Sequence, residues 1–210
     1  QTQLMEEIQS FFKPLHVFSH LLNSGGICSL AKVHDQADHY LKRHDWGFRP
    51  GLILYGYQPH SIFNEIQFKP VMSLKSVVNN IRDVSAGQSV SYGAQWVAKR
   101  ASKIAVVPIG YADGVHRLLS NNNQALFAGK QVPIVGRICM DFLMLDVTEA
   151  LQNGQLKKYD EEEVVLFGFD EMGNFLSAET AAKSAQTITW EILTAVGERV
   201  PRLFKGGIES

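Results

Sequence analysis

The sequence predicts an α/β segment followed by a mainly β domain, and a change in residue pattern along the chain supports this order. Up to about residue 66, a strand, a turn, a helix and a strand follow one another, which is the rhythm of a (β/α) barrel. After about residue 69, β-rich runs bounded by Gly, Asn and Asp take over. We therefore expect two domains, residues 1–66 and 67–210.

The first segment predicts helices and strands in alternation. Residues 1–13 carry apolar side chains at helical spacing, which predicts a short amphipathic helix. A strand is expected at 16–20 and a polar helix at 29–44. Between them, Asn-Ser-Gly-Gly at 23–26 predicts a turn whose backbone donors suit a phosphate. Residues 51–56 predict a buried strand that ends at glycine.

The second segment predicts strands and then a helix. Its β-rich runs are residues 72–78, 104–109, 131–135, 142–147 and 163–167. Over 177–196 the apolar period returns to helical, with Ser177 as the expected N-cap and Glu179 close behind it.

Composition narrows the class of protein. The chain has 210 residues, of which 45% are hydrophobic and 20% charged, and this is typical of globular proteins. Its net charge of -1 leaves no basic excess for nucleic acid, and no apolar run approaches the roughly 20 residues that cross a bilayer. Cys28 and Cys139 are too few and too far apart for a disulfide scaffold or a zinc site, so we expect reduced thiols and no metal. Chemistry on a small molecule is the remaining expectation.

Three dense blocks of glycine, tyrosine and charged residues lie in the middle of the chain. They are Gln-Ser-Val-Ser-Tyr-Gly at 88–93, Ile-Gly-Tyr-Ala-Asp-Gly at 109–114 and Gly-Arg-Ile-Cys-Met-Asp at 136–141. Each sets a reactive or charged side chain among glycines and apolar residues, as functional sites on packed scaffolds do. Together with Arg49-Pro50-Gly51 upstream, they resemble the second half of an alanine racemase, a pyridoxal-phosphate-dependent enzyme.

This resemblance runs over nearly the whole chain and implies both a fold and a reaction. Residues 1–66 would be the C-terminal part of a (β/α)8 barrel that binds pyridoxal 5'-phosphate, and residues 67–210 a β-rich C-terminal domain. The implied reaction interconverts L- and D-alanine in the cytoplasm and supplies D-alanine for peptidoglycan. The implied assembly is a homodimer with shared active sites, which needs neither nucleic acid nor membrane.

The resemblance also assigns a cofactor site. Arg49 matches an arginine that faces the pyridine nitrogen, and His20 matches the histidine that supports it. A guanidinium keeps its proton, so it donates to a pyridine nitrogen that stays unprotonated, and the ring is then a weaker electron sink. Ser24 and the N–H groups of Gly51 and Leu52 match the groups that bind the cofactor phosphate.

Tyr92 matches the family acid/base, which reaches across the dimer interface and exchanges the Cα proton on one face of the substrate. An ordinary phenol ionises at about pH 10, so it needs nearby positive charge or hydrogen bonds to act near neutrality. Met140 follows at a separation that fits the family pairing, and its backbone N–H is expected to bind the substrate carboxylate while its side chain lies in the core. Asp141 is expected to fix this turn.

A substrate-access channel is implied by Tyr111, Arg117 and Arg137, since cations there attract amino-acid carboxylates. Trp190 stands where the family usually has a tyrosine near the cofactor phosphate. Its indole N–H still donates one hydrogen bond, but the ring is bulkier, so a narrower channel is expected.

The main departure from the family concerns the lysine that carries the cofactor. No segment resembles the family motif Lys-Ala-Asn-Ala-Tyr-Gly, and the chain opens on Gln1-Thr2-Gln3-Leu4 within a helical pattern. We therefore expect a fragment or processed product that lacks the first part of the barrel and is inactive by itself.

Several alternatives remain open. The chain is also compatible with a fold-type III decarboxylase, a broader amino-acid racemase, or an incomplete fragment that only dimerises or binds a partner. A decarboxylase is disfavoured because Cys139-Met140-Asp141 follows the tyrosine blocks at racemase spacing. From the residues alone, Tyr92 is also compatible with a packing role, His20 with a core histidine, and Arg49 and Arg117 with surface charges.

Overall fold

The structure, a computed structural model, describes residues 2–12, 18–32, 42, 45–59, 67–151 and 162–206. The chain divides into two compact units, Gln1–Val71 (unit 1) and Met72–Ser210 (unit 2). Residues 60–66, next to the predicted domain boundary, lie outside the described residues, and that boundary stays a prediction.

The helices and strands are numbered here in chain order. Unit 1 contains α1 (Thr2–Phe12), β1 (Ser19–Asn23), α2 (Ser24–Ala31) and β2 (Trp46–Arg49). The strands of unit 2 are β3 (Leu74–Val77), β4 (Asn80–Val84), β5 (Ser89–Val90), β6 (Trp96–Val97), β7 (Ser102–Val107), β8 (Gln124–Phe127), β9 (Lys130–Pro133), β10 (Leu143–Asp146), β11 (Glu163–Phe169) and β12 (Phe175–Leu176). Its helices are α3 (Thr148–Leu151), α4 (Ala178–Ser184) and α5 (Thr189–Thr194).

In unit 1, a buried glutamine fixes the first helix against a strand. Strands β1 and β2 pair in parallel, with Asn23 opposite Arg49. On α1, the amide of Gln9 donates to the Asp45 carboxylate at 2.7 Å and accepts from the Trp46 indole at 2.5 Å. Because a buried amide must find partners for both of its ends, these bonds set the position of α1 at the start of β2.

The predicted helix at 1–13 is confirmed as α1, but its apolar side chains are exposed rather than buried, Phe11 most of all. The strand predicted at 16–20 is present as β1, which begins at Ser19. Residues 16–17 and most of the helix predicted at 29–44 lie outside the described residues.

Two predictions for unit 1 are wrong. Residues 24–26, predicted as a turn, begin helix α2, because the Asn23 side chain accepts a hydrogen bond from the Gly26 N–H at 3.0 Å and caps the helix. Residues 51–56, predicted as a strand, instead form a 3₁₀ turn over Leu52–Tyr55, which Gly56 ends in the left-handed region at φ 80°. The residue pattern of so short an apolar run cannot distinguish a strand from a helical turn.

The strands of unit 2, as far as they are described, form antiparallel sheets. One sheet has the order β10-β7-β4, with β7 central and buried at Ile104, Ala105 and Val107. The other has the order β12-β11-β8-β9, and β3 also pairs with β11. A short hairpin, β5-β6, precedes β7. The β-rich character predicted for this part of the chain is therefore confirmed.

All five predicted β runs contain a strand, namely β3, β7, β9, β10 and β11. The N-cap at Ser177 is also confirmed, since its hydroxyl accepts from the Glu179 N–H at 3.1 Å. The prediction of one helix over 177–196 is wrong, because the helix breaks between α4 and α5. Gln186 adopts a left-handed φ of 55°, and the Thr187 N–H donates to the Ala182 carbonyl at 2.9 Å, so α4 ends before α5 begins.

Unit 1 does not by itself establish a barrel. The described residues give one parallel pair, β1 and β2, with α2 between them in the chain. In the described part of the chain no helix is long and apolar enough to cross a membrane.

Candidate active site

The three sequence blocks meet at one cleft of unit 2. The cleft has a volume of about 460 Å³, and side chains from all three blocks line it. Its lining residues are Tyr92, Tyr111, Arg117, Arg137, Ile138, Cys139, Met140, Asp141 and Phe142. The residues we assigned to proton transfer, carboxylate binding and substrate access thus share one cleft, while their roles stay predictions.

Tyr92 protrudes from an anchored turn. It begins a 3₁₀ turn, Tyr92–Ala94, directly after β5 rather than lying in a strand. Val90, at the end of β5, is buried in a cluster with Ile104, Val135 and Met144. The Tyr92 side chain is 72% exposed and makes no hydrogen bond to any described residue. Its hydroxyl is therefore free to meet a substrate.

The Tyr111 block is bonded directly to the Met140 block. The Tyr111 N–H donates to the Cys139 carbonyl and the Ala112 N–H to the Met140 carbonyl, both at 3.0 Å. A Cβ on Gly110 would lie 2.3 Å from each of these carbonyl oxygens. Only glycine permits this approach, so the glycine of the second block is required for its contact with the third.

Arg199 joins the same two blocks through their carboxylates. Its Nη2 donates to Asp141 Oδ1 at 2.7 Å, and its Nε lies 3.4 Å from Asp113 Oδ1. Asp113 also accepts from the Gly110 N–H at 2.9 Å. The hydrogen bond to Asp141 and then the charge of Asp113 raise the pKa of Arg199. Sequence reasoning missed Arg199, because it lies far from the blocks in the chain.

Met140 differs from expectation in its side chain. We expected a core side chain, but it is 53% exposed, because the turn presents it to the cleft. The Met140 carbonyl is bonded to Ala112, whereas its N–H finds no acceptor among the described residues. A free N–H at a cleft wall is what a carboxylate ligand requires.

The cleft carries a local positive charge. Asp141 is neutralised by Arg199, whereas Arg117 and Arg137 form no ion pair with any described residue. The Arg137 guanidinium lies beside Gly93, within 3.8 to 3.9 Å of where a Cβ of that glycine would stand. Two uncompensated guanidinium groups favour an anionic ligand.

In unit 1, Ser24 connects the start of α2 to the turn after β2. Ser24 is buried, with 4% of its surface exposed. Its hydroxyl accepts from the Gly51 N–H at 3.0 Å and from the Ile53 N–H at 3.5 Å. The Gly51 N–H is thus already bonded to Ser24, while no described residue accepts from the Leu52 N–H. The Ser24 proton and the Leu52 N–H remain as donors, a set that fits a phosphate group.

The other predicted cofactor residues are less constrained by the structure. His20 lies on β1 and Arg49 at the end of the neighbouring strand β2, and no hydrogen bond joins them within the described residues. Trp190 lies on α5 and is 39% exposed. The assignments of His20, Arg49 and Trp190 stay predictions.

Comparison with known proteins identifies the family. Residues 71–204 match the model of the alanine racemase C-terminal domain. Alanine racemase 2 of Caldanaerobacter subterraneus subsp. tengcongensis is 43% identical over 188 residues, which cover 88% of this chain and 44% of that protein. The chain belongs to the alanine racemase family. The alanine racemase of Halothermothrix orenii is likewise 43% identical, over 76% of this chain and 41% of that protein. The chain thus spans less than half the length of these racemases.

Solved alanine racemases share the fold. The enzyme from Bartonella henselae, with covalently bound pyridoxal phosphate, superposes with a TM-score of 0.70 at 33% identity, covering 88% of this chain and 46% of that one. The enzyme from Bacillus anthracis, with bound L-Ala-P, gives a TM-score of 0.74 at 29% identity, covering 98% of this chain and 50% of that one.

Proposed function

We propose that this chain is the C-terminal half of a pyridoxal-phosphate-dependent alanine racemase, with residues 1–66 in the (β/α)8 barrel and 67–210 in the C-terminal domain. It would interconvert L- and D-alanine and so supply D-alanine for peptidoglycan. The observation that carries this proposal is the cleft of unit 2, where an exposed tyrosine converges with a backbone N–H and two arginines that have no partner among the described residues. Family membership supports the reaction.

Tyr92 is the proposed acid/base. Its phenol is exposed at the cleft, and the Arg137 guanidinium lies beside the next residue, Gly93. A phenol can exchange a proton with a substrate atom that lies within hydrogen-bond distance of its oxygen. Tyr92 then holds or returns the Cα proton on one face of the substrate, and a lysine supplied outside this sequence acts on the other.

The Met140 N–H is the proposed donor to the substrate carboxylate. It is without a described acceptor, and it lies on a turn that is bonded to the Tyr111 block on one side and to Arg199 on the other. A fixed donor of this kind orients the Cα–H bond towards the base. Arg117 and Arg137 draw the amino-acid carboxylate towards the cleft.

Residues of unit 1 would hold the cofactor. Pyridoxal phosphate, when bound, withdraws electron density from the Cα of the amino acid and makes its proton labile. The Ser24 hydroxyl and the Leu52 N–H would bind the phosphate, while Gly51, whose N–H holds Ser24 in place, would let it approach closely; Arg49, supported by His20, would donate to the pyridine nitrogen. In Trp190 this chain would present an indole where the family usually presents a tyrosine.

A chimaera tests the proposal. The N-terminal half of the Caldanaerobacter racemase would be joined to this chain, and racemisation of L-alanine would be followed by circular dichroism. We expect activity that needs pyridoxal phosphate. Tyr92→Phe keeps the ring and deletes the hydroxyl, so kcat should fall by about 100-fold or more, the usual contribution of a general acid/base. Tyr111→Phe, the matched control, should mainly raise KM.

Other outcomes would point elsewhere. Release of carbon dioxide from lysine or ornithine by the chimaera would favour a decarboxylase. A chimaera that folds and binds the cofactor without racemising alanine would leave a binding or dimerisation role. Equal, small effects of the Tyr92 and Tyr111 substitutions would reject the assignment of the base. In the chain alone, borohydride should fix the cofactor to no lysine.

A further inference from the structure

Ser91, directly before Tyr92, adopts a backbone conformation that side chains rarely accept. Its φ is 67° and its ψ is −179°. This region is populated almost only by glycine, and other residues persist there when surrounding contacts hold them. Such strain beside a proposed acid/base calls for a compensating contact.

The Ser91 hydroxyl makes that contact. It donates to the Arg137 carbonyl at 2.6 Å, which joins the first block to the third. The two segments touch closely, because a Cβ on Gly136 would lie 2.7 Å from Ser91 Cβ and 2.8 Å from the Val90 carbonyl oxygen. Gly136, at φ 73°, therefore leaves room for the hydrogen bond between the Ser91 hydroxyl and the Arg137 carbonyl, which we call the tether.

The tether controls the backbone that sets the direction of the Tyr92 side chain. The Tyr92 side chain has no hydrogen-bond partner among the described residues, so its direction depends on the backbone that presents it. A return of Ser91 to an ordinary extended conformation would swing the Tyr92 ring away from its present place at the cleft. Arg137 holds the segment from two sides, with its carbonyl on Ser91 and its guanidinium beside Gly93.

We propose that Ser91 is a positioning residue: its hydroxyl, bonded to the Arg137 carbonyl, holds a strained backbone that aims Tyr92 across the cleft. The catalytic part of this inference rests on the proposed role of Tyr92, whereas the structural part does not. The test therefore has one arm that needs no activity.

The structural arm uses this chain with ¹³C-labelled tyrosine and NMR. The chain has six tyrosines, and the Tyr92 ring signal is assigned as the one that Tyr92→Phe removes. In Ser91→Ala we expect this signal to move towards the position of an unfolded tyrosine while the others stay. Ser89→Ala removes an exposed hydroxyl two residues earlier, on β5, and should move none of the tyrosine signals.

The kinetic arm uses the chimaera. Ser91→Ala should lower kcat by about tenfold and leave KM within about twofold, because substrate binding does not need Tyr92. The α-deuterium isotope effect should rise for the one enantiomer whose proton Tyr92 removes and stay unchanged for the other. A merely structural loss would lower both directions without this asymmetry.

Ser91→Gly separates the tether from the strain. Glycine accepts this conformation without strain but has no hydroxyl, so it should also release the Tyr92 signal. If Ser91→Ala unfolds the chain, Ser91→Gly alone tests whether the Ser91 hydroxyl positions Tyr92. A Tyr92 signal and isotope effects that match wild type in Ser91→Gly would overturn the proposal. An inactive wild-type chimaera would reject the proposed function, and the NMR arm would still decide the role of Ser91.

Discussion

The two cysteines differ in their surroundings at the scale of single residues. Cys28 lies on α2 with 2% exposure, and burial raises the pKa of its thiol. Cys139 is half-buried at the cleft, with its sulfur 3.7 Å from the Ser91 hydroxyl. Since the thiolate is the reactive form, exposure and a lower thiol pKa both favour modification.

We expect iodoacetamide at pH 8 to modify Cys139 at least about tenfold faster than Cys28, because the raised pKa of Cys28 leaves less thiolate at that pH. Mass spectrometry of the intact chain measures the two rates. Cys139→Ser should remove the fast phase and Cys28→Ser should keep it. Equal rates at both thiols would contradict the burial of Cys28.

At the scale of elements, the turn over 111–113 is held to the turn over 139–141 from both ends. Backbone bonds from Tyr111 and Ala112 join them on one side, and Arg199 joins their carboxylates on the other. Two contacts of different kinds make this pair of turns one structural element, although the chain between them contains strands β8 and β9.

Loss of Arg199 should loosen the turn over 111–113. In Arg199→Ala, Asp113 and Asp141 lose their shared cation, and we expect chymotrypsin to cleave after Tyr111 several-fold faster. The substitution neither adds nor removes a chymotrypsin site. Arg100→Ala, which breaks an exposed ion pair with Glu149, is the matched control. Unchanged cleavage in Arg199→Ala would mean that the backbone bonds hold the turn unaided.

The loop between β11 and β12 is built around Asp170. Burial acts to raise the pKa of this carboxyl, but hydrogen bonds from the Asn174 side chain and from the backbone of Asn174 and Met172 outweigh it and lower the pKa. Its oxygens accept at 2.7 to 3.0 Å. A carboxyl with a lowered folded pKa stabilises the fold above its unfolded pKa of about 4 and stops doing so as the pH falls through the folded value.

Asp170→Asn should therefore unfold at lower urea concentration than wild type at pH 7, and the two should converge as the pH falls below about 4. Urea titrations at pH 7 and at acidic pH measure the midpoints. Glu171→Gln, at the exposed neighbouring position, is the control and should follow wild type. A constant gap between Asp170→Asn and wild type at all pH values would exclude the ionised carboxylate as its cause.

At the scale of the whole molecule, we propose that the active site is divided between polypeptides. The resemblance to alanine racemases implies that the matching tyrosine and carboxylate-binding turn serve the partner's barrel, so we expect Tyr92 and Met140 at a subunit interface. The exposure of both side chains in the described chain agrees with a surface that meets another subunit. A head-to-tail homodimer with paired sites is the assembly that this proposal predicts.

Complementation tests the shared site. A chimaera with Tyr92→Phe would be mixed with a chimaera that lacks the cofactor lysine of its N-terminal half. Heterodimers then carry both defects in one site and neither in the other, so random exchange should restore about a quarter of the sites. A mixture that exchanges subunits and stays inactive, or an active monomer in sedimentation, would contradict the shared site.

The sequence by itself predicted five of the ten described strands of unit 2, namely β3, β7, β9, β10 and β11, and it pointed to the three blocks that line the cleft. Runs such as 104–109 and 163–167 are β-branched and apolar, and this local preference agrees with their burial in the folded sheets. The blocks around Tyr92, Tyr111 and Met140 are recognisable because each needs glycines at fixed positions beside a reactive group. These features are local in the chain, so pattern alone reveals them.

Tertiary structure alone decided how those pieces meet. The turn at Leu52–Tyr55 and the break after Ser184 depend on capping contacts. The pairing of Arg199 with Asp113 and Asp141 joins distant parts of the chain. The Ser91 hydroxyl, whose residue has a positive φ, is bonded to the Arg137 carbonyl. The exposure of Met140 likewise follows from how its turn lies against Ala112. The contacts of Arg199, Ser91 and Met140 involve partners remote in sequence, whereas the 52–55 turn and the break after Ser184 are set by nearby residues, Gly56 and Gln186. In each case a local conformation is favoured only when its partner is in place.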